Sequence, residues 1–146
     1  MLRFLVQALL IIVVFVAAWR RGGEPERYVA SIYLAMLVTS GVNAFSASAQ
    51  AGADYSNVKQ LHFLLDGLAL AGVVFVALRY DRWWTLWVGS VQSLAVMAHL
   101  LRALNWPIPP IAYAVMERWP VWLAVMITGI GTALQIRRSH EPPIST

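Results

Sequence analysis

Five apolar runs separated by short polar breaks fill the chain, at residues 2–19, 28–50, 60–79, 83–104 and 119–136. A helix rises about 1.5 Å per residue, so about 20 apolar residues cross the ~30 Å hydrocarbon layer of a bilayer. Each run therefore predicts a transmembrane helix, the first and last near the minimum length. The competing reading of the first run is a signal peptide, with Val16-Ala17-Ala18 as its cleavage site.

The breaks carry turn chemistry. Gly22-Gly23 stops the first helix, and Pro25 suits the first turn of the second. Arg79-Tyr80-Asp81-Arg82 joins the third and fourth runs as a tight basic turn. Residues 51–59 form a polar connection with Asp54 and Lys59. Pro107, Pro109 and Pro110 interrupt the chain after the fourth run. Residues 111–119 predict a short helix lying at the interface, and Pro120 opens or kinks the last span. Residues 139–146 read as a polar tail.

The basic residues orient these spans. Arg20, Arg21, Arg27, Arg79, Arg82, Arg137 and Arg138 fall at one side of the membrane if the N-terminus is outside and the C-terminus inside. That arrangement follows the positive-inside rule. Trp19, Tyr80, Trp83, Trp84 and Trp87 sit at the same level and predict an interfacial aromatic belt.

Composition fixes the class. The 146 residues suffice for one membrane domain, 1–146. Only 12% are charged and 60% are hydrophobic, against roughly 25% charged in a soluble domain. The expected fold is all-α, a polytopic integral membrane bundle in the plasma (inner) membrane of a bacterium. The net charge of +4 is gathered at helix ends, without the basic stripe of a nucleic-acid binder. Cysteine is absent, which removes disulfide, thiolate and iron–sulfur chemistry. No HExxH, GxSxG or Walker pattern occurs, so the chain reads as non-enzymatic.

The second run is rich in small and polar residues, which let membrane helices approach closely, and this predicts an interior helix. Its face Ser40, Asn43, Ala47 and Gln50 is polar, and Ala44, Ser48 and Gly52 form a small-residue ridge. Gly67 and Ala71, Gly89 and Ser93, and Gly129 and Ala133 are further pairs expected to make packing seams.

Candidate chemistry gathers in the hairpin of the third and fourth runs. His62 and Asp66 are four residues apart on one helix face. Gln92, His99 and Arg102 share a face of the other helix. Folding the hairpin at 79–82 puts residues level when their numbers sum to about 162, by helix rise. His62 and Asp66 then lie near His99 and Arg102, with Asn43 brought close by the preceding turn. The cluster Asn43, His62, Asp66, Gln92, His99 and Arg102 is thus expected in the outer half of the bilayer. An acid within a span costs roughly 2.5–3.5 kcal/mol on insertion scales, so Asp66 needs a partner or a cavity.

Three functions are open to such a chain. The first is an accessory or assembly subunit of a membrane complex, or a self-associating bundle, with the cluster clamping helices together. Its partners would be the lipid bilayer and other membrane chains or further copies of itself. The second is a homo-oligomeric pore, holin-like or conducting protons or ions, with Ser40, Asn43, Gln50 or Gln92, His99, Arg102 lining a wet path. The third is a haem b-binding redox subunit with His62 and His99 as axial ligands. A zinc set of His62, Asp66 and His99 is disfavoured by the nearby Arg102, and no metal is expected.

Overall fold

The computed structural model describes residues 2–49, 55–104, 106–107 and 109–140. Five helices run through them: α1 (Leu2–Arg21), α2 (Glu24–Ala49), α3 (Tyr55–Tyr80), α4 (Trp83–Ala103) and α5 (Pro110–His140). Each contains a segment long and apolar enough to cross a membrane, so the chain is a multi-pass, all-α membrane protein. Gln50, the connection at 51–54 and the tail at 141–146 lie outside the described residues.

Local chemistry sets the turns. After Ala18, the Gly22 N–H donates back to the Ala18 carbonyl at 2.9 Å. A Cβ on Gly22 would collide with that carbonyl, so only glycine fits this close reversal. Asp81 ends α3 in the left-handed region, with φ 48°. Aspartate is among the few residues that take this conformation readily. Arg82 is extended, and its carbonyl accepts from both the backbone N–H and the hydroxyl of Thr85. The hairpin therefore turns on two residues. At the other end of α4, the Trp106 N–H reaches the Leu101 carbonyl at 3.0 Å before the prolines begin.

One expectation is corrected here. Residues 111–119 and the last span are one continuous helix, α5, with Pro120 buried inside it. Proline removes a single ladder bond, and neighbouring packed helices make that loss tolerable within a membrane bundle. A separate interfacial helix is not formed. The second and third helices also begin earlier than the apolar runs, at Glu24 and Tyr55.

The helices close into a ring in chain order, α1 against α2, α2 against α3, α3 against α4, α4 against α5 and α5 against α1. An additional contact joins α2 and α5 across the ring. Successive helices are antiparallel. With five members, the closing pair α1 and α5 must run the same way. Val14 of α1 meets Gly129 of α5 on this seam.

The core comprises Ile11, Val14, Val29, Tyr33, Val73, Val76, Trp84, Val88, Ala124 and Val125. Trp84 is a second correction to the sequence reading. It is buried beneath α5, and a Cβ on Gly131 would come within 2.8 Å of its indole. Trp19, Trp83 and Trp87 are exposed, as belt residues would be. The small-residue pairs behave unevenly. Gly129 and Gly89 face neighbouring side chains, whereas nothing lies within 4 Å of a Cβ on Gly67.

The second helix differs most from the expected interior element. Its buried residues are Pro25, Glu26, Val29, Ala30 and Tyr33, and none follows among 34–46. The first part of α2 is interior; beyond Tyr33, Leu34, Met36 and Leu37 are only partly buried against the core and Val38, Val42 and Phe45 are exposed.

Candidate functional site

Seven-residue spacing places Gln92 on the same face of α4 as Thr85, two turns nearer the arginine-rich end. This face is buried along the helix at Trp84, Thr85, Val88, Gly89, Gln92, Ala95 and Ala98. Gln92 thus enters the core as a fully buried amide and must find partners there.

It finds them on two other helices. The Tyr33 hydroxyl of α2 donates to Gln92 Oε1 at 3.0 Å. Gln92 Nε2 donates to Asp66 Oδ1 of α3 at 2.9 Å and lies 3.4 Å from the Asp66 main-chain oxygen. Asp66 Oδ2 lies 3.1 Å from His99 Nε2, within hydrogen-bonding distance. The result is a continuous polar chain, Tyr33–Gln92–Asp66–His99, linking α2, α3 and α4. The Gln92 amide is matched at both ends, oxygen toward the phenol and nitrogen toward the carboxyl. Phe63 covers His99 edge-on, with ring centroids 6.0 Å apart.

The other residues expected here are placed differently. Asn43 donates to the Thr39 carbonyl of its own helix at 2.7 Å, outside this chain. On α2 the side-chain amide can satisfy itself one turn back, and no buried neighbour draws it inward. His62 is half-buried one turn before Asp66, on the same face of α3. Arg102 is exposed near the far end of α4.

Tyr33 was not among the residues singled out from the sequence. A signal was present: Tyr33 is seven residues after Glu26, so the two share a face of α2. Both are buried. A phenol in mid-span, far from either interface, asks for a hydrogen-bond partner in the core.

The arrangement can hold and orient a proton between Asp66 and His99. It offers no nucleophile beside a base. Neither Asp66 nor His99 borders the hollow beside Ile11, Val14 and Val125 or the one beside Glu26, Trp84 and Gln135. Among those residues, no three His, Asp or Glu side chains converge as a metal set would require. Haem b fits poorly between His62 and His99. The two residues lie on directly packed helices, and His99 Nε2 is already engaged by Asp66.

A second polar group lies at the arginine-rich end, where Arg20, Arg21, Arg27, Arg79, Arg82, Arg137 and Arg138 collect. Tyr80 donates to Glu24 Oε2 at 2.9 Å and stacks near Tyr28. The Arg27 guanidinium sits 6.0 Å over the Trp19 ring, tying α2 to α1.

No family model, curated protein or solved structure matches this chain.

Proposed function

We propose that this protein is a non-enzymatic accessory or assembly subunit that engages another membrane chain through the far half of α2. The observation that carries the reading is the character of residues 34–46. This half-helix bears Thr39, Ser40, Gly41, Asn43 and Ser46, yet none of its residues is buried. Thr39 and Asn43 each donate one bond back within α2, which leaves the Asn43 oxygen to be met from outside, and small residues suit close helix approach. A partner helix satisfies both needs. The Tyr33–Gln92–Asp66–His99 chain then serves as the clamp that holds the presenting helix in place.

The arginine-rich end faces the cytoplasm of a bacterial-type plasma membrane in this reading, by the distribution of basic residues. The pore alternative would need copies of the chain to meet along the same face, since the core of one bundle is packed. The test is native mass spectrometry of protein gently extracted from its own membrane, comparing wild type with Asn43→Leu and Ser40→Leu. A stoichiometric complex with unrelated chains, lost in the variants, is the expected result. A monomer free of other chains would overturn the proposal, and a homo-oligomer of defined number would replace it with the pore.

A further inference from the structure

The arginine-rich end sets seven arginines against three acids among the described residues, Glu24, Glu26 and Asp81. These arginines are placed in different ways. Arg27 lies over the Trp19 ring and Arg79 over the Tyr80 ring, while Glu24 accepts from Tyr80. Arg82, from the turn before α4, and Arg138, near the end of α5, instead border one hollow where α4, α5 and the start of α2 meet. Among the described residues, neither guanidinium takes part in an ion pair or a side-chain hydrogen bond.

Two guanidinium groups on one hollow repel each other, and arginine stays charged in proteins. The acid on the same walls is Glu26, which carries at most one negative charge. At least one positive charge is therefore unmatched, and Arg137 stands next to it in the chain. An anion relieves that repulsion. A bilayer brings phosphate diesters to this level, and guanidinium groups bind phosphate oxygens through paired, parallel hydrogen bonds.

The remaining wall suits a lipid better than a small free anion. The hollow measures about 20 Å³, with Glu26, Trp84 and Gly131 buried at its base and Trp83 and Arg138 exposed at its rim. A phosphate is too large to enter and sits across the mouth, away from the buried Glu26 carboxyl. Trp83 and Leu134 also border the hollow. One turn deeper on the same helix faces come Trp87 of α4 and Ile130 of α5, 59% and 57% exposed. An acyl chain descending from the mouth can lie along these side chains, and free phosphate gains nothing from them. A headgroup ammonium would meet the arginines, so a glycerol headgroup is favoured over an amine.

The geometry points to a binding site for one anionic phospholipid, its phosphate held across Arg82 and Arg138 and an acyl chain lying along Trp83, Trp87, Ile130 and Leu134. The site is at the opposite end of the bundle from the far half of α2, so it stands whether or not a partner chain docks there.

The test titrates the purified full chain in neutral detergent with phosphatidylglycerol, and counts bound lipid by native mass spectrometry. One phosphatidylglycerol per chain should be retained in preference to phosphatidylcholine, and equimolar inorganic phosphate should not displace it. Arg82→Gln and Arg138→Gln should each weaken retention about fivefold, and the pair about twenty-five-fold, the factor expected of arginines near an anionic headgroup. Arg20→Gln combined with Arg21→Gln makes the same charge change at the same end and should alter the affinity less than about twofold, because exposed charges farther away are screened. If the glutamine pair fails to fold, Arg82→Lys with Arg138→Lys supplies the readout. The charge is kept and the paired bonds are lost, so affinity should still fall severalfold. Equal retention of phosphatidylcholine, displacement by inorganic phosphate, an equal loss in the Arg20 and Arg21 control, or unchanged affinity in the Arg82 and Arg138 variants would overturn the inference.

Discussion

Helices α2 and α4 run in the same direction through the ring and are tied to each other at one level, Tyr33 to Gln92. Their fates on either side of that tie differ. α4 stays in the core from Trp84 to Ala98, losing no turn of its buried face. α2 has its last fully buried residue at Tyr33; Leu34, Met36 and Leu37 still pack against the core, and beyond them Val38, Val42 and Phe45 are exposed, the last at 77%. Both helices carry polar and small residues, so composition does not separate them. What separates them is the company each keeps. α4 is flanked by α3 and α5 along its length. α2 lies between α1 and α3, and α1 buries nothing before Ile11. A membrane helix is interior where its neighbours converge on it, and the same sequence character turns into an outward-facing surface where they do not.

The tie itself is the place to break this contrast. Gln92→Leu leaves both the Tyr33 hydroxyl and Asp66 Oδ1 without their partner. Each stranded group costs about 1–3 kcal/mol, so this substitution should give the largest fall in thermal stability, measured by unfolding in mild detergent. An unchanged melting temperature would mean the polar chain contributes nothing to holding α2. Gly131→Ala probes the packed side of the comparison. Its Cβ would press on the Trp84 indole at 2.8 Å, and overpacking of this kind costs about 1–3 kcal/mol.

Smaller effects sharpen the picture. Tyr33→Phe removes one neutral hydrogen bond between helices, an interaction worth about 0.6 kcal/mol on average in a membrane protein. Combined with Gln92→Leu it should add almost nothing further, and a double-mutant cycle would read that coupling. Gly41→Ala is the counterpart of Gly131→Ala on the open half of α2. Nothing lies within 4 Å of the new Cβ, so stability should be unchanged or raised by up to about 1 kcal/mol through helix propensity. A large loss there would show that the far half of α2 is packed after all.

Much of the architecture was legible in the sequence because hydrocarbon thickness leaves few choices. Five runs of sufficient length became five helices, and the basic turn near Asp81 set the register of α3 against α4. Helix rise alone put Asp66 level with Val96, and Asp66 is bonded between Gln92 and His99. The illegible parts have particular causes. Tyr33 looks like any aromatic residue of a span until its partner is known. Glu26 sits in a charge-rich stretch that reads as a turn, and only the close reversal at Gly22 carries it inside. Trp84 resembles its neighbours Trp83 and Trp87, and its inward position depends on a glycine 47 positions later in the chain. Pro120 argues for a break, and packing around α5 overrides it.

The parallel seam between α1 and α5 has a consequence for how the molecule is made. Helix α1 is seated partly against α5, which follows it by almost ninety residues, with Val14 meeting Gly129. During synthesis Ile11 and Val14 must wait in lipid, or against a membrane chaperone, until residues 110–140 have left the ribosome. Closure of the ring is therefore gated by the synthesis of α5. A chain truncated before α5 should insert yet remain unsealed, a ready target for membrane quality control.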